Sequence, residues 1–177
     1  AIDETAKELL LRTLKLFEMI RWTKDIDTFL AEEIVPAAKM VGTNWPHRNL
    51  IADYFSRTDI YRDSWGGINR ELTDTWVRFI SEVGYNSDEL YKSVKKKLNG
   101  NNNSRYFAVL ALAQGWHDDL DTLPWLKDRA VNDKDDTVRR AAVQALSQGW
   151  HDDPETLPLL KDRAVNDKDN YVRRDAV

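Results

Sequence analysis

Gln114-Gly115-Trp116-His117-Asp118-Asp119 recurs as Gln148-Gly149-Trp150-His151-Asp152-Asp153, 34 residues further on. The agreement extends in both directions. Ala108-Val109 and Ala111-Leu112 return as Ala142-Val143 and Ala145-Leu146. Lys127-Asp128-Arg129-Ala130-Val131-Asn132-Asp133-Lys134-Asp135 returns as Lys161-Asp162-Arg163-Ala164-Val165-Asn166-Asp167-Lys168-Asp169. A third copy opens at Tyr171-Val172-Arg173-Arg174. A fixed period of this length marks a stack of supersecondary units, each too small to bury its own apolar face.

Each unit reads as two helices. The first is predicted from about Thr137 to Gln148. Val138, Ala142, Ala145 and Leu146 share one stripe at helical spacing, while Arg140, Gln144 and Ser147 face away. Asp135 or Asp136 stands where an N-cap is wanted, as Asp169 or Asn170 does in the next copy. Gly149 follows the last periodic residue, the position of a left-handed stop. The second helix is predicted from about Pro154 to Val165, with Asp153 as cap, Pro154 at the first helical position and an inner stripe of Leu157, Leu160 and Ala164. The alanines let neighbouring helices approach closely.

The pattern Asp-Lys-Asp-x-x-Val-Arg-Arg-x-Ala, at 133–142 and 167–176, resembles the helix opening of HEAT repeats. The resemblance covers about residues 104–177 and implies an all-α fold, an α-α superhelix of HEAT-like solenoid type. It also implies a ladder of Asp and Arg between neighbouring copies, which by position pairs Asp135 with Arg139 and Asp169 with Arg173. The first copy departs from the pattern: Ser104 replaces Val and Asn101 replaces Asp, though Arg105 is kept. The Gln-Gly-Trp-His-Asp-Asp version is similar to HEAT arrays that follow NACHT-type signalling NTPase modules in bacteria, notably cyanobacteria. No Gly-x-x-x-x-Gly-Lys-Ser/Thr phosphate loop occurs in this chain.

The first hundred residues also read as helical, with periodic segments at about 4–22, 25–41 and 46–61. Thr43-Asn44-Trp45-Pro46 and Ser64-Trp65-Gly66-Gly67 are their turn signals. Residues 69–98 read as a decayed copy, ending in a helix that carries Leu90, Val94 and Leu98. The expected organisation is a helical N-terminal region at 1–66, a degenerate HEAT-like repeat at 67–103, and HEAT-like repeats at 104–177. The chain starts at Ala1 and ends at Val177 inside a motif, so a longer parent protein is expected.

Composition narrows the function. The 177 residues are 42% hydrophobic, with 30 acidic and 26 basic side chains and a net charge of −4. That balance exerts no general attraction on nucleic acid or anionic membrane. There are no cysteines, which excludes disulfides, thiolate catalysis and thiolate metal sites and suits a cytoplasmic protein. No apolar run approaches the roughly 20 residues of a membrane span.

The candidate chemistry is sparse. His117-Asp118-Asp119 and His151-Asp152-Asp153 offer metal-ligand types. Stacked helices hold equivalent residues on the order of 10 Å apart, too far for one ion to bridge. Helix capping by Asp and packing of His or Trp on the neighbouring copy is the plainer reading. Lys95-Lys96-Lys97, Arg139-Arg140 and Arg173-Arg174 could track phosphates. Residues 104–177 nevertheless hold 14 acidic and 11 basic side chains, so a solvated face with ladder ion pairs is the plainer reading again. His47 has no visible partner set. Neither a catalytic constellation nor a cofactor or metal site is assigned.

Trp125 is the sharpest feature. It is expected opposite the Leu123-Leu126-Ala130 stripe, with Leu159 at the equivalent place and Arg129 and Arg163 one turn on. Second helices line the concave surface of HEAT solenoids. Trp125, Arg129, Leu159 and Arg163 would then form an apolar-basic strip of interface composition; packing on residues 1–66 is the alternative. The reading is a protein-binding scaffold, not an enzyme: the sensing or scaffolding segment of a larger signalling or defence protein, with a protein or peptide partner. The rival classes are a nucleic-acid binder resembling the HEAT-like alkylpurine DNA glycosylases and a HEAT-type phycobilin lyase or chaperone. The acidic balance argues against the first, and the absence of Cys or a bilin motif against the second. Partner identity and oligomeric state are not written in the sequence.

Overall fold

The structure is a computed structural model that describes residues 88–176 together with residues 4, 5, 8, 9, 11, 12, 32 and 77. The helices expected at 4–22, 25–41 and 46–61 and most of the 69–98 stretch lie largely outside the described residues. So do Trp22, Trp45, Trp65, Trp76 and His47. The chain divides into two compact units, Ala1–Lys96 and Lys97–Val177. No strand occurs among the described residues.

Helix α1, Asp88–Lys97, carries the expected stripe, and Leu90, Val94 and Leu98 are buried. Beyond it, the repeat unit is a run of helical hairpins: α2 (Asn102–Gly115), α3 (Thr122–Asn132), α4 (Asp136–Gly149), α5 (Thr156–Asn166) and the short α6 (Asn170–Asp175). First helices of successive copies stack, α2 on α4 and α4 on α6, while α3 and α5 pack behind them. One core runs through the stack, built from Val109, Leu126, Ala130, Val138, Ala142, Val143, Leu146, Leu160 and Val172 among others. Removing Leu146 to Ala would cost about 2–5 kcal/mol, the usual toll of a cavity at a fully buried site.

Capping sets the start of each first helix. Asp135 sits in extended backbone and its carboxylate accepts the N–H groups of Thr137 and Val138. Asp169 repeats this with Tyr171 and Val172. Asn101, which replaces Asp in the first copy, accepts from Ser104 N at 2.9 Å, so the amide carbonyl does the same work. Of each expected pair of caps, the first residue is the one used. The second helices start later than expected. Asp153 accepts Glu155 N at 3.1 Å and Thr156 Oγ1 at 3.2 Å in the turn ahead of α5. Pro154 therefore lies in that turn, and Pro158 takes the third helical position.

Three local expectations are corrected. Arg140 and Gln144 do not point to solvent: both bond Asp175 of the following copy, because a helix inside a stack has a neighbour on each side. Leu157 is 54% exposed, whereas its equivalent Leu123 packs on the core; on α3 that face meets the next copy. Gly149 is not a left-handed stop. It is the last residue of α4, and the cap is Trp150 at φ −132°. What favours glycine is proximity, since a Cβ there would stand 3.3 Å from His117 Cδ2 of the preceding copy and the ring would have to give slightly.

Candidate functional site

The loops and second helices carry the side chains singled out above, and the ladder that holds them comes first. Arg105 reaches Asp133 through Nε and Nη2, both at 2.8 Å, and its Nη1 donates to the Gly100 carbonyl at 2.8 Å. Arg139 repeats the fork on Asp167 at 2.9 Å twice, with Nη1 on the Asp133 carbonyl at 3.0 Å. Arg173 places Nη1 on the Asp167 carbonyl at 2.7 Å. The ladder is therefore real, but its acids are Asp133 and Asp167 and not Asp135 and Asp169. The latter two cap their own helix N-termini.

Electrostatics follow from this geometry. Burial alone would raise the carboxyls of Asp133 and Asp167. Hydrogen bonds from Arg105 or Arg139 and from the backbone N–H of Asp135 or Asp169 outweigh it and hold both below the ordinary carboxylate range. The bond to Asp167 holds the Arg139 guanidinium above its usual value.

The four residues of the expected strip sit on two equivalent helices, one copy apart. The Arg129 guanidinium lies 5.1 Å from the Trp125 ring centre, within cation–π range. Arg129 also bonds Asp128 at 2.7 Å and reaches Asp133 at 3.5 Å. Arg163 repeats this with Asp162 and, at 3.7 Å, with Asp167. Trp125 and Leu159 are half-buried and pack on the core cluster. Trp125 is thus not opposite the inner stripe. A position one residue from Leu126 lies about 100° away on the helix, and an indole is large enough to lean back over the flank of the core. Part of each of the four side chains stays accessible, and none of their charges is free.

The His-Asp-Asp turns use their residues for packing. His117 stacks on Trp150 of the next copy, with ring centres 4.2 Å apart and planes 13° from parallel. Its Nδ1 lies 2.9 Å from Asp118 Oδ1 and its Nε2 2.9 Å from the Gly149 carbonyl. Both partners accept, so the doubly protonated ring satisfies both. The Asp118 bond, then the Gly149 bond, raise the imidazole above its ordinary value. His151 is exposed and lies 3.4 Å from Asp152. Of the basic runs, Arg139 is buried on Asp167, Arg140 and Arg174 bond Asp175, and Lys95 stands 4.8 Å over the Tyr91 ring.

Sequence reasoning missed Asp133, Asp167 and Lys127. Lys127 Nζ bridges Asp153 at 2.6 Å and Glu155 at 2.9 Å in the following copy. All three recur or have recurring equivalents at the repeat offset. Recurrence was the available signal, but it cannot say which of two recurring carboxylates faces a neighbour.

Hairpins stacked through a buried Asp–Arg ladder define an α-solenoid of repeated helix pairs. Residues 92–177 match the family model for HEAT repeats, in keeping with this architecture. No curated protein and no solved structure matches the chain.

Proposed function

We propose that this chain is a protein-binding scaffold, and that Trp125, Arg129, Leu159 and Arg163 form its contact strip for a protein or peptide partner. The observation that carries this reading is the preorganisation of the strip. Each second helix presents an apolar side chain and, one turn on, an Arg already tethered to the ladder carboxylate of its own copy. Side chains ordered before binding lose little entropy on binding, and a large amphipathic residue beside Arg is the usual make-up of an energetic centre. HEAT repeats generally mediate protein–protein interaction, which supports the same conclusion.

At a finer level, we read the chain as the sensing or scaffolding arm of a larger cytoplasmic signalling or defence protein. Support comes from the likeness of its Gln-Gly-Trp-His-Asp-Asp turns to arrays that follow NACHT-type NTPases. No helix among the described residues is long and apolar enough to cross a membrane. The reading assigns no catalysis and no cofactor.

The test is affinity capture on the immobilised chain, with Trp125→Ala and Leu159→Ala beside Lys168→Ala as an exposed control. A partner retained by wild type and Lys168→Ala but lost by the first two supports the strip. Equal retention by all four sinks it.

A further inference from the structure

Between the turn ahead of α2 and the end of α3 lies an open cavity of about 320 Å³, lined by Asn99, Gly100, Arg105, Arg129, Asp133 and Lys134 among others. All six belong to the unit Lys97–Val177. Three of these side chains are cations and one is a carboxylate, in a chain whose net charge is −4. Their engagements differ. Arg105 is matched by Asp133 through two hydrogen bonds. Arg129 is held chiefly by Asp128, and its Nε–H is buried without an acceptor. Lys134 is exposed and pairs with no carboxylate among the described residues, so one positive charge at the cavity is unmatched. Arg129 also belongs to the neighbouring strip, with the Trp125 ring 5.1 Å away. A single side chain thus joins an apolar face to a cationic hollow.

We propose that this cavity receives the carboxylate of an Asp or Glu side chain on the bound peptide, while an apolar side chain of the same peptide lies on Trp125; this rests on the scaffold reading above. Charge complementarity decides the chemistry. One unmatched cation balances one carboxylate. A phosphate monoester brings about 1.5–2 negative charges and would set the excess against Asp133. Asp133 stays ionised near neutral pH, because Arg105 and the Asp135 N–H overcome the effect of its burial, and so it keeps repelling that excess. The remaining volume admits water around the bound oxygens, as polar contacts of this kind commonly require.

The test strips the ligand to the recognised group. N-acetyl-glutamate methylamide is titrated into the 15N-labelled chain, beside the neutral N-acetyl-glutamine methylamide and inorganic phosphate. The expected result is a saturable millimolar response to the glutamate probe at the Gly100, Asn132 and Lys134 amides and the Arg129 Nε–H. The glutamine probe leaves these resonances unmoved, and phosphate binds more weakly. Lys134→Gln, an exposed change that leaves the melting temperature unaltered, weakens the glutamate probe about fivefold or more, as loss of a charge partner does. Equal response to both amides, tighter binding of phosphate, undiminished affinity in Lys134→Gln, or no saturation by about 50 mM, close to the weakest affinity worth the name, each overturns the proposal. The probe has no apolar side chain, so its failure leaves Trp125-dependent capture standing. Failure of that capture sinks the scaffold reading without touching the titration.

Discussion

Arg139 and Asp167, 28 residues apart in the chain, form a two-pronged ion pair with side chains only 2% and 1% exposed. The third arm of the same guanidinium closes on the Asp133 carbonyl. One side chain therefore ties the start of α4 to the turn before it and to the turn between α5 and α6. A buried charge is tolerable only with such complete partnering.

Replacing Arg139 by Met should consequently be severe. The change leaves the buried Asp167 with the Asp169 N–H at 2.9 Å and, 3.7 Å away, Arg163 as its remaining cation. Breaking a buried pair costs about 3–5 kcal/mol, and the residual Arg163 contact places the expectation near the lower end. The double variant Arg139→Met/Asp167→Leu should recover most of the loss, since no charge is then stranded. Urea midpoints of the three proteins decide it. A single variant within about 1 kcal/mol of wild type, the scale of a surface ion pair, would refute the buried ladder.

Acid should attack the ladder next. The Asp133 and Asp167 carboxyls are held below their ordinary value of 3.8. Their contribution is complete above that unfolded value and is lost as pH falls through the lower folded one. The ladder's share of the melting temperature, read as wild type minus Arg139→Met/Asp167→Leu, should stay level from neutrality to about pH 5 and drop below about pH 4 as the pairs protonate. A share that already declines between pH 7 and 5 would contradict this assignment.

His117 has the opposite sign. Its folded value is raised above 6.5, so its contribution is complete below 6.5 and is lost as pH rises through the folded value. The difference in melting temperature between wild type and His117→Gln should be larger at pH 5.5 than at pH 8.5. No change, or a reversal, would mean that the ring is not held between Asp118 and the Gly149 carbonyl as a cation.

Gly149→Ala offers a coupled test of the same contact. Alanine is favoured over glycine by roughly 0.5–1 kcal/mol in a helix interior, and by less at the last residue, where Gly149 stands. The alanine Cβ, however, would press on His117 at 3.3 Å. The substitution should gain nothing in wild type and recover that gain in a His117→Ala background. Additive effects in the four-protein cycle would show that the two residues do not touch.

Capping can be separated from mere negative charge. Asp135→Ala removes the acceptor for Thr137 N and Val138 N and for Asn102 Nδ2 at 3.0 Å, and should cost about 1–2 kcal/mol. Asp136→Ala, in the first turn but exposed, loses only its attraction to the helix dipole, about 0.3–1 kcal/mol. Equal losses in thermal unfolding would argue against Asp135 as the cap.

Trp125→Ala should weaken the captured partner about tenfold to a hundredfold, the range of a truncated aromatic anchor. Because the ring packs on the core, its melting temperature must be read alongside the affinity. Arg129→Gln, which leaves the ring in place, should weaken binding with less loss of stability.

The sequence by itself determined the 34-residue period and the two helices in each copy, and narrowed each first-helix cap to two neighbouring residues, because these depend on side chains within a few positions of one another. It could also name Asp and Arg as ladder types through a resemblance. Only the tertiary structure decided that Asp133 and Asp167 form the ladder while Asp135 and Asp169 cap. Both kinds of carboxylate recur identically, and the distinction rests on which partner stacking supplies: Asp135 accepts the N–H groups that open its own helix, whereas Asp167 receives a guanidinium from 28 residues away. Gly149 tells the same story. Its place at a helix end suggested a backbone requirement, yet the tight contact is with His117 on another copy. Local chemistry is written along the chain, whereas a neighbour brought in by stacking is not. The contacts that hold one copy against the next were therefore the part only the folded array could supply.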